Sequence, residues 1–204
     1  MTAKSVITGA LIALLALPAA AQQAPEGTPT RIRGTVEKLD GQTLTVKSRE
    51  GQQLTIALAP NFTVAAVVKK SLADIKTGDF VGAASTKSAD GKLHALEVLI
   101  FPEAMRGSGE GERPWDLTPD SLMTNATVDG IASAAQGQAL KLTYKGGESE
   151  IIVAPDIPIV TFAPGDTSLL KPGAAIITAA LKKPDGSLSA SRVTAEKDGV
   201  KPPM

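Results

Sequence analysis

One histidine and no cysteine occur in the chain, so chemistry that needs imidazole or thiolate ligands has His94 alone to draw on. Tight zinc or copper sites want several such ligands. His94, set in an alternating strand pattern, reads instead as an exposed or locally satisfied residue. Oxygen donors are denser: Glu103, Glu110, Glu112, Asp116 and Asp120 lie close together in the chain. Their spacing matches no calcium loop, and solvated charge is the expectation. No metal and no cofactor are expected. Ser168-Leu169-Leu170-Lys171 and Lys76-Thr77-Gly78 fit the Ser-x-x-Lys and Lys-Thr-Gly motifs of penicillin-recognising enzymes. They come in the wrong order with no Ser-Asp-Asn between them, so they read as turn punctuation. Gly107-Ser108-Gly109 lacks the strand-to-helix context of a nucleophile elbow and reads as a hinge. No two carboxylates are tied to one cleft as sugar cleavage requires. No catalytic residue is expected.

What remains suits contact rather than reaction. Arg106, Glu110, Glu112, Arg113, Trp115 and Asp116 lie in the stretch 102–124, which is dense in charge and holds the sole tryptophan. They are the candidate ligand or partner contacts. A tryptophan between two folded units is expected to pack as a tether; the alternative is a lid or a partner epitope, since loops on rigid scaffolds often carry binding chemistry. Nucleic acid is not an expected partner. Single-strand binders stack bases on several aromatics along a basic groove, whereas this chain has four Phe, one Trp and one Tyr, a formal net charge of zero and interspersed signs. Asn61-Phe62-Thr63 and Asn125-Ala126-Thr127 fit the glycosylation pattern but read as turn and strand-start residues.

The elements that position these residues are written twice. Gly34, Gly41-Gln42, Leu44 and Gly51 match Gly130, Gly137-Gln138, Leu140 and Gly147; after one residue drops out, Ile56, Ala59-Pro60, Lys76-x-Gly78, Asp90-Gly91, Ala95 and Val98 match Ile151, Ala154-Pro155, Lys171-x-Gly173, Asp185-Gly186, Ala190 and Val193. Within the first copy, 31–39 and 42–48 alternate around an Asp40-Gly41 hairpin turn. A third strand puts Leu54, Ile56 and Leu58 on one face. Ala59-Pro60-Asn61 should stop pairing, Ser71 to Asp74 should start a single helical turn ended by Gly78, and two strands close the unit. The expected fold is all-β: two tandem small antiparallel barrels of the oligomer-binding type, each with one helical turn, with a small sandwich as the alternative. The expected boundaries are 31–101 and 126–197, joined by the linker 102–124 and followed by a tail, 198–204.

Before them, Lys4 and an apolar run from Val6 to Leu17 lead into Pro18-Ala19-Ala20-Ala21-Gln22, which reads as a cleavable signal peptide over residues 1–21. A disordered spacer, 22–30, would follow. The run is too short for the roughly 20 residues a membrane crossing needs, so no membrane insertion is expected after cleavage near Ala21, and the location would be periplasmic.

Four elements carry a resemblance: Gly34-Thr35-Val36, Gly41-Gln42-Thr43-Leu44-Thr45-Val46, Lys76-Thr77-Gly78-Asp79-Phe80-Val81 and Asp90-Gly91-Lys92-Leu93-His94-Ala95. With them the chain resembles a family of exported, uncharacterised bacterial proteins built on a tandem domain of unknown function. Members are often labelled metal transporter permeases, at odds with the lack of a spanning segment. The second copy departs from the pattern at Gly173-Ala174-Ala175, which lacks the acid of Gly78-Asp79. The expected function is that of a soluble periplasmic, non-catalytic binding or interaction module whose partner is a small ligand or an envelope protein. A metal- or solute-handling accessory of an envelope transporter is the alternative, and a hydrolase comes third.

Overall fold

The computed structural model describes residues 27–202; the expected signal peptide and cleavage point lie outside the described residues. Twelve strands run β1 (Thr28–Asp40), β2 (Thr43–Ser48), β3 (Gln53–Lys70), β4 (Phe80–Lys87), β5 (Leu93–Ile100), β6 (Gly111–Pro114), β7 (Leu122–Ala134), β8 (Gly137–Tyr144), β9 (Gly147–Val153), β10 (Ile159–Gly165), β11 (Ala175–Lys182) and β12 (Leu188–Ala195). Three single 3-10 turns, Leu72–Asp74, Glu103–Met105 and Thr167–Leu169, complete the elements. The fold is all-β, and no described helix is long and apolar enough to cross a membrane. Period-two patterning places the side chains as expected. Leu44, Val46 and Ile56 are fully buried, while Thr43 and Lys47 on the opposite face of β2 are exposed.

Strand pairing, however, cuts across the two sequence copies. A closed five-stranded barrel runs β1-β2-β3-β12-β11 and back to β1, taking three strands from the first copy and two from the second. The other ribbon runs β5-β4-β7-β8-β9, and its outer strands meet in parallel at Leu93–Ile151 and His94–Ile152. Each has its own core. One gathers Val36, Leu44, Val46 and Ile56 with Ile176 and Val193; the other gathers Val81 and Val98 with Val128, Leu140, Leu142 and Ile151. The boundaries 31–101 and 126–197 therefore mark the repeat in sequence and not the packed units. The copies exchange their closing hairpins.

β3 shows why. The expected stop at Ala59-Pro60-Asn61 is a bulge inside one continuous 18-residue strand. Against β12 the register steps from Leu58–Ala190 to Thr63–Arg192, so several β3 residues loop past one of the partner. Pro60 sits in that excess, beyond the end of β2, where its missing N–H is not needed. The strand thus carries the chain out of the first core and delivers β4 and β5 to the second. There β3 pairs antiparallel with its counterpart β10, and Val67 faces Phe162. These two stand 95 residues apart, as equivalent positions do in this part of the repeat, so an approximate two-fold axis passes through the pair. The same spacing maps Val64–Val193 onto Ile159–Val98, and Ile56–Leu188 onto Ile151–Leu93.

The Lys-x-Gly turns acquire a reason as well. Gly78 N–H donates to Val128 O at 2.8 Å and Val128 N–H donates to Asp79 O at 2.8 Å; Gly173 and Ala174 make the same pair with Val36 at 2.9 Å. Both glycines adopt positive φ, 92° and 90°. The contact uses the carbonyl of Asp79, not its carboxylate, which is why Ala174 serves equally well. Those bonds also make Val36 equivalent to Val128, so Gly34 corresponds to Ala126 and not to Gly130. The β7–β8 hairpin is four residues longer than β1–β2, and a glycine happens to fall at the matched spacing.

Candidate functional site

The linker is not a free connector. After the turn at Glu103–Met105 the chain runs along the N-terminal half of β7 as β6, with Gly111 opposite Asn125 and Pro114 opposite Leu122. Past Pro114 it folds back on Ser121, which is 2% exposed. Trp115 N–H donates to Ser121 O at 2.7 Å, and the Ser121 hydroxyl accepts from Thr118 N–H at 3.1 Å. Asp120, at φ 61°, closes the loop; aspartate is among the few residues that tolerate this region. The result is a strap, 111–121, laid from the second core across the outer face of the first.

Of the six candidate contact residues, three hold the strap down on the second-core side. Arg106 forms a bidentate pair with Glu103 at 2.6 and 2.7 Å and donates to Gly78 O at 3.0 Å. Glu110 accepts from Lys145 N–H at 2.9 Å. Glu112 accepts from Thr124 Oγ1 at 3.0 Å and Ser149 Oγ at 2.7 Å. Of the other three, Trp115 and Asp116 meet the barrel face, while Arg113 donates to Gly109 O at 2.7 Å within the linker. Arg31 lies 3.7 Å from the centre of the Trp115 ring, with Arg33 and Arg113 at 5.4 and 5.5 Å. The Asp116 carboxylate bonds Arg31 at 3.0 Å and Arg33 at 2.7 Å, and its carbonyl accepts from Arg49 at 3.2 Å.

Arg31, Arg33 and Arg49 are functional candidates that sequence reasoning missed. Arg31-x-Arg33 alternates with Ile32 and points away from the core, the pattern of a solvated face. Yet Arg33 is only 4% exposed, because the strap covers it. Desolvation alone would raise the Asp116 pKa, but the Arg33 hydrogen bond, with the charges of Arg33 and Arg31, holds it down to about 2. Burial and the neighbouring charge of Arg31 lower that of Arg113.

Behind the strap, where the outer faces of the two halves meet, lies a cavity of about 140 Å³. Leu99, Phe101 and Met123 line it from the second-core strands, Ile177 from the barrel, Phe162 from β10 between them and Trp115 from the strap, with Glu97 and Arg113 also on its wall. Trp115 Nε1 and Asn125 Oδ1 are both buried without a hydrogen-bond partner, while Asn125 Nδ2 donates to Ser108 O at 2.9 Å.

Other candidates disperse. His94 sits in β5 with Nε2 3.1 Å from Asp90. Among the described residues no three His, Asp or Glu side chains come together as a metal site would require, so Glu103, Glu110, Glu112, Asp116 and Asp120 do not form one cluster. Ser168-x-x-Lys171 and Lys76-Thr77-Gly78 belong to turns that cap different cores, bonded to Val36 and Val128 respectively. Comparison with known proteins finds no family model, no curated protein and no solved structure that matches the chain.

Proposed function

We propose that this is an exported, periplasmic, non-catalytic binding module of two small barrels, related to the exported bacterial family it resembles, and that its ligand site is the strap-covered cavity. The observation that carries the reading is the cavity at the seam between the two halves, with a mostly apolar lining edged by Glu97, Arg113 and Asn125 and a tryptophan roof on a strap anchored from both sides. Concave, mostly apolar seams between packed units are a preferred place for small molecules to bind. Its volume, about 140 Å³, is well below the roughly 300 Å³ at which drug-sized pockets begin, so the ligand, or the part of it that enters, is a single small ring or a short branched chain.

Benzene and phenol are the probes. Methyl resonances of Leu99, Met123 and Ile177 should shift saturably on titration while those of Leu44 and Leu140 stay still, and Leu99→Trp, which fills the space, should abolish the response. Shifts spread evenly over the molecule, or none, would sink the reading.

A further inference from the structure

On the barrel side of the strap a second pocket, of about 320 Å³, opens beside Asp116. Arg31, Arg33, Arg49 and Lys182 line it, against only Glu50 and Asp116. Four cations face two carboxylates in a chain that is formally neutral as a whole. The shortfall is visible bond by bond. Each Asp116 oxygen takes one arginine, and Glu50 reaches only Arg49, at 3.5 Å. Lys182 forms no ion pair among the described residues. Arg33, 4% exposed, spends NH1 on Asp116, while its Nε and NH2 have no partner. A guanidinium held out of water with two unpaired donors is costly unless anionic charge stands nearby, and the acids present supply half of what the cations call for.

We propose that this pocket binds a small dianionic oxyanion of the phosphate-monoester type, seated beside Asp116 and held by Arg31, Arg49 and Lys182. Two negative charges match the local excess, and the arginine forks suit phosphate oxygens. The two pockets share no lining residue, and Trp115, which lines the cavity, meets this one through its stack on Arg31.

The sole tryptophan stacks on Arg31, so its fluorescence reads the site directly. Inorganic phosphate, titrated at low ionic strength, should change Trp115 emission saturably with a submillimolar dissociation constant; chloride at equal ionic strength should not. Arg49→Gln and Lys182→Ala, both at exposed positions, should each weaken binding about tenfold at an unchanged melting temperature, and Asp116→Asn should tighten it by removing a competing charge. Vesicles containing phosphatidic acid form a second arm. A response at lower phosphate than the inorganic ion needs assigns the site to a lipid headgroup, and the reverse assigns it to a soluble phosphate. A phosphate curve that overlays that of chloride, or one unaltered in Arg49→Gln and Lys182→Ala, overturns the proposal and leaves the benzene test of the cavity unaffected.

Discussion

The two cores are built to one plan and dressed differently. Their registers correspond pair by pair, down to the bulges at Glu37 and Asp129 and the carbonyl-bonded glycine turns. The outer surface breaks the correspondence. The β7 side of the second core sends out β6 and the strap; the β1 side of the first core receives them on Arg31 and Arg33. Packing demands are met by what repeats, and both the cavity and the cationic pocket are made by what does not. Asymmetry added to a repeated frame is where ligand chemistry should be sought in this molecule.

That comparison can be broken in several ways, and the most drastic is to separate the copies. A fragment of residues 28–101 lacks β11 and β12, so it should be unfolded or should pair with a second copy of itself. Light scattering and circular dichroism decide; a folded monomer would mean that each copy closes alone. Next come the equivalent leucines. Leu44→Ala and Leu140→Ala, both at 0% exposure, should each lose about 2 to 5 kcal/mol in urea unfolding, and closely matched losses are expected if the cores are true counterparts.

The glycines sharpen the point. A Cβ on Gly34 would stand 2.2 Å from Lys47 O, a backbone atom, whereas one on Gly130 meets only Lys141 Cβ at 3.9 Å. Gly34→Ala should therefore lose about 1 to 3 kcal/mol, and Gly130→Ala should stay within about 0.5 kcal/mol of the parent. Equal effects would restore the equivalence that the sequence spacing suggests.

The strap gives smaller changes. Trp115→Ala should lower stability by about 2 kcal/mol, less than for a fully buried tryptophan because the ring is half-buried; an unchanged melting temperature would make the strap a lid and not a tether. For Asp116→Asn the loss should be about 1 kcal/mol, discounted because the carboxylate is 48% exposed. Its pKa is depressed on folding, so the contribution is present above the unfolded value near 4 and disappears as pH falls through about 2. The gap between parent and Asp116→Asn should hold from pH 7 to pH 5 and close by pH 2; a gap that persists in acid would contradict the pairing.

Much of this fold is legible in the residues, because strand alternation and turn glycines act locally. Leu44, Val46 and Ile56 face the core as their spacing predicts, and Ser71 begins its turn by donating to Asp74 at 2.7 Å. What is not legible is non-local. Nothing near Phe80 or Leu93 says which meander their hairpin will complete; that is decided by β3 running on through Pro60. The matched Gly34 and Gly130 mislead because four residues added to a hairpin leave a coincidental glycine in line. Of the candidate site, Trp115 and Asp116 stand out by composition, but their receptors on β1 look like ordinary solvated arginines until the strap is laid over them.

The parallel seam between β3 and β12 has a bearing on how the protein is made. The barrel begun by Thr28 is sealed by Leu188–Ala195, so its first three strands stay open until β11 and β12 have been made, whereas the strands of the second ribbon are all in place by Val153. Shortening the chain at its end would strip the cover from its beginning, exposing Leu44 and Val46 to water while much of the middle stayed wrapped.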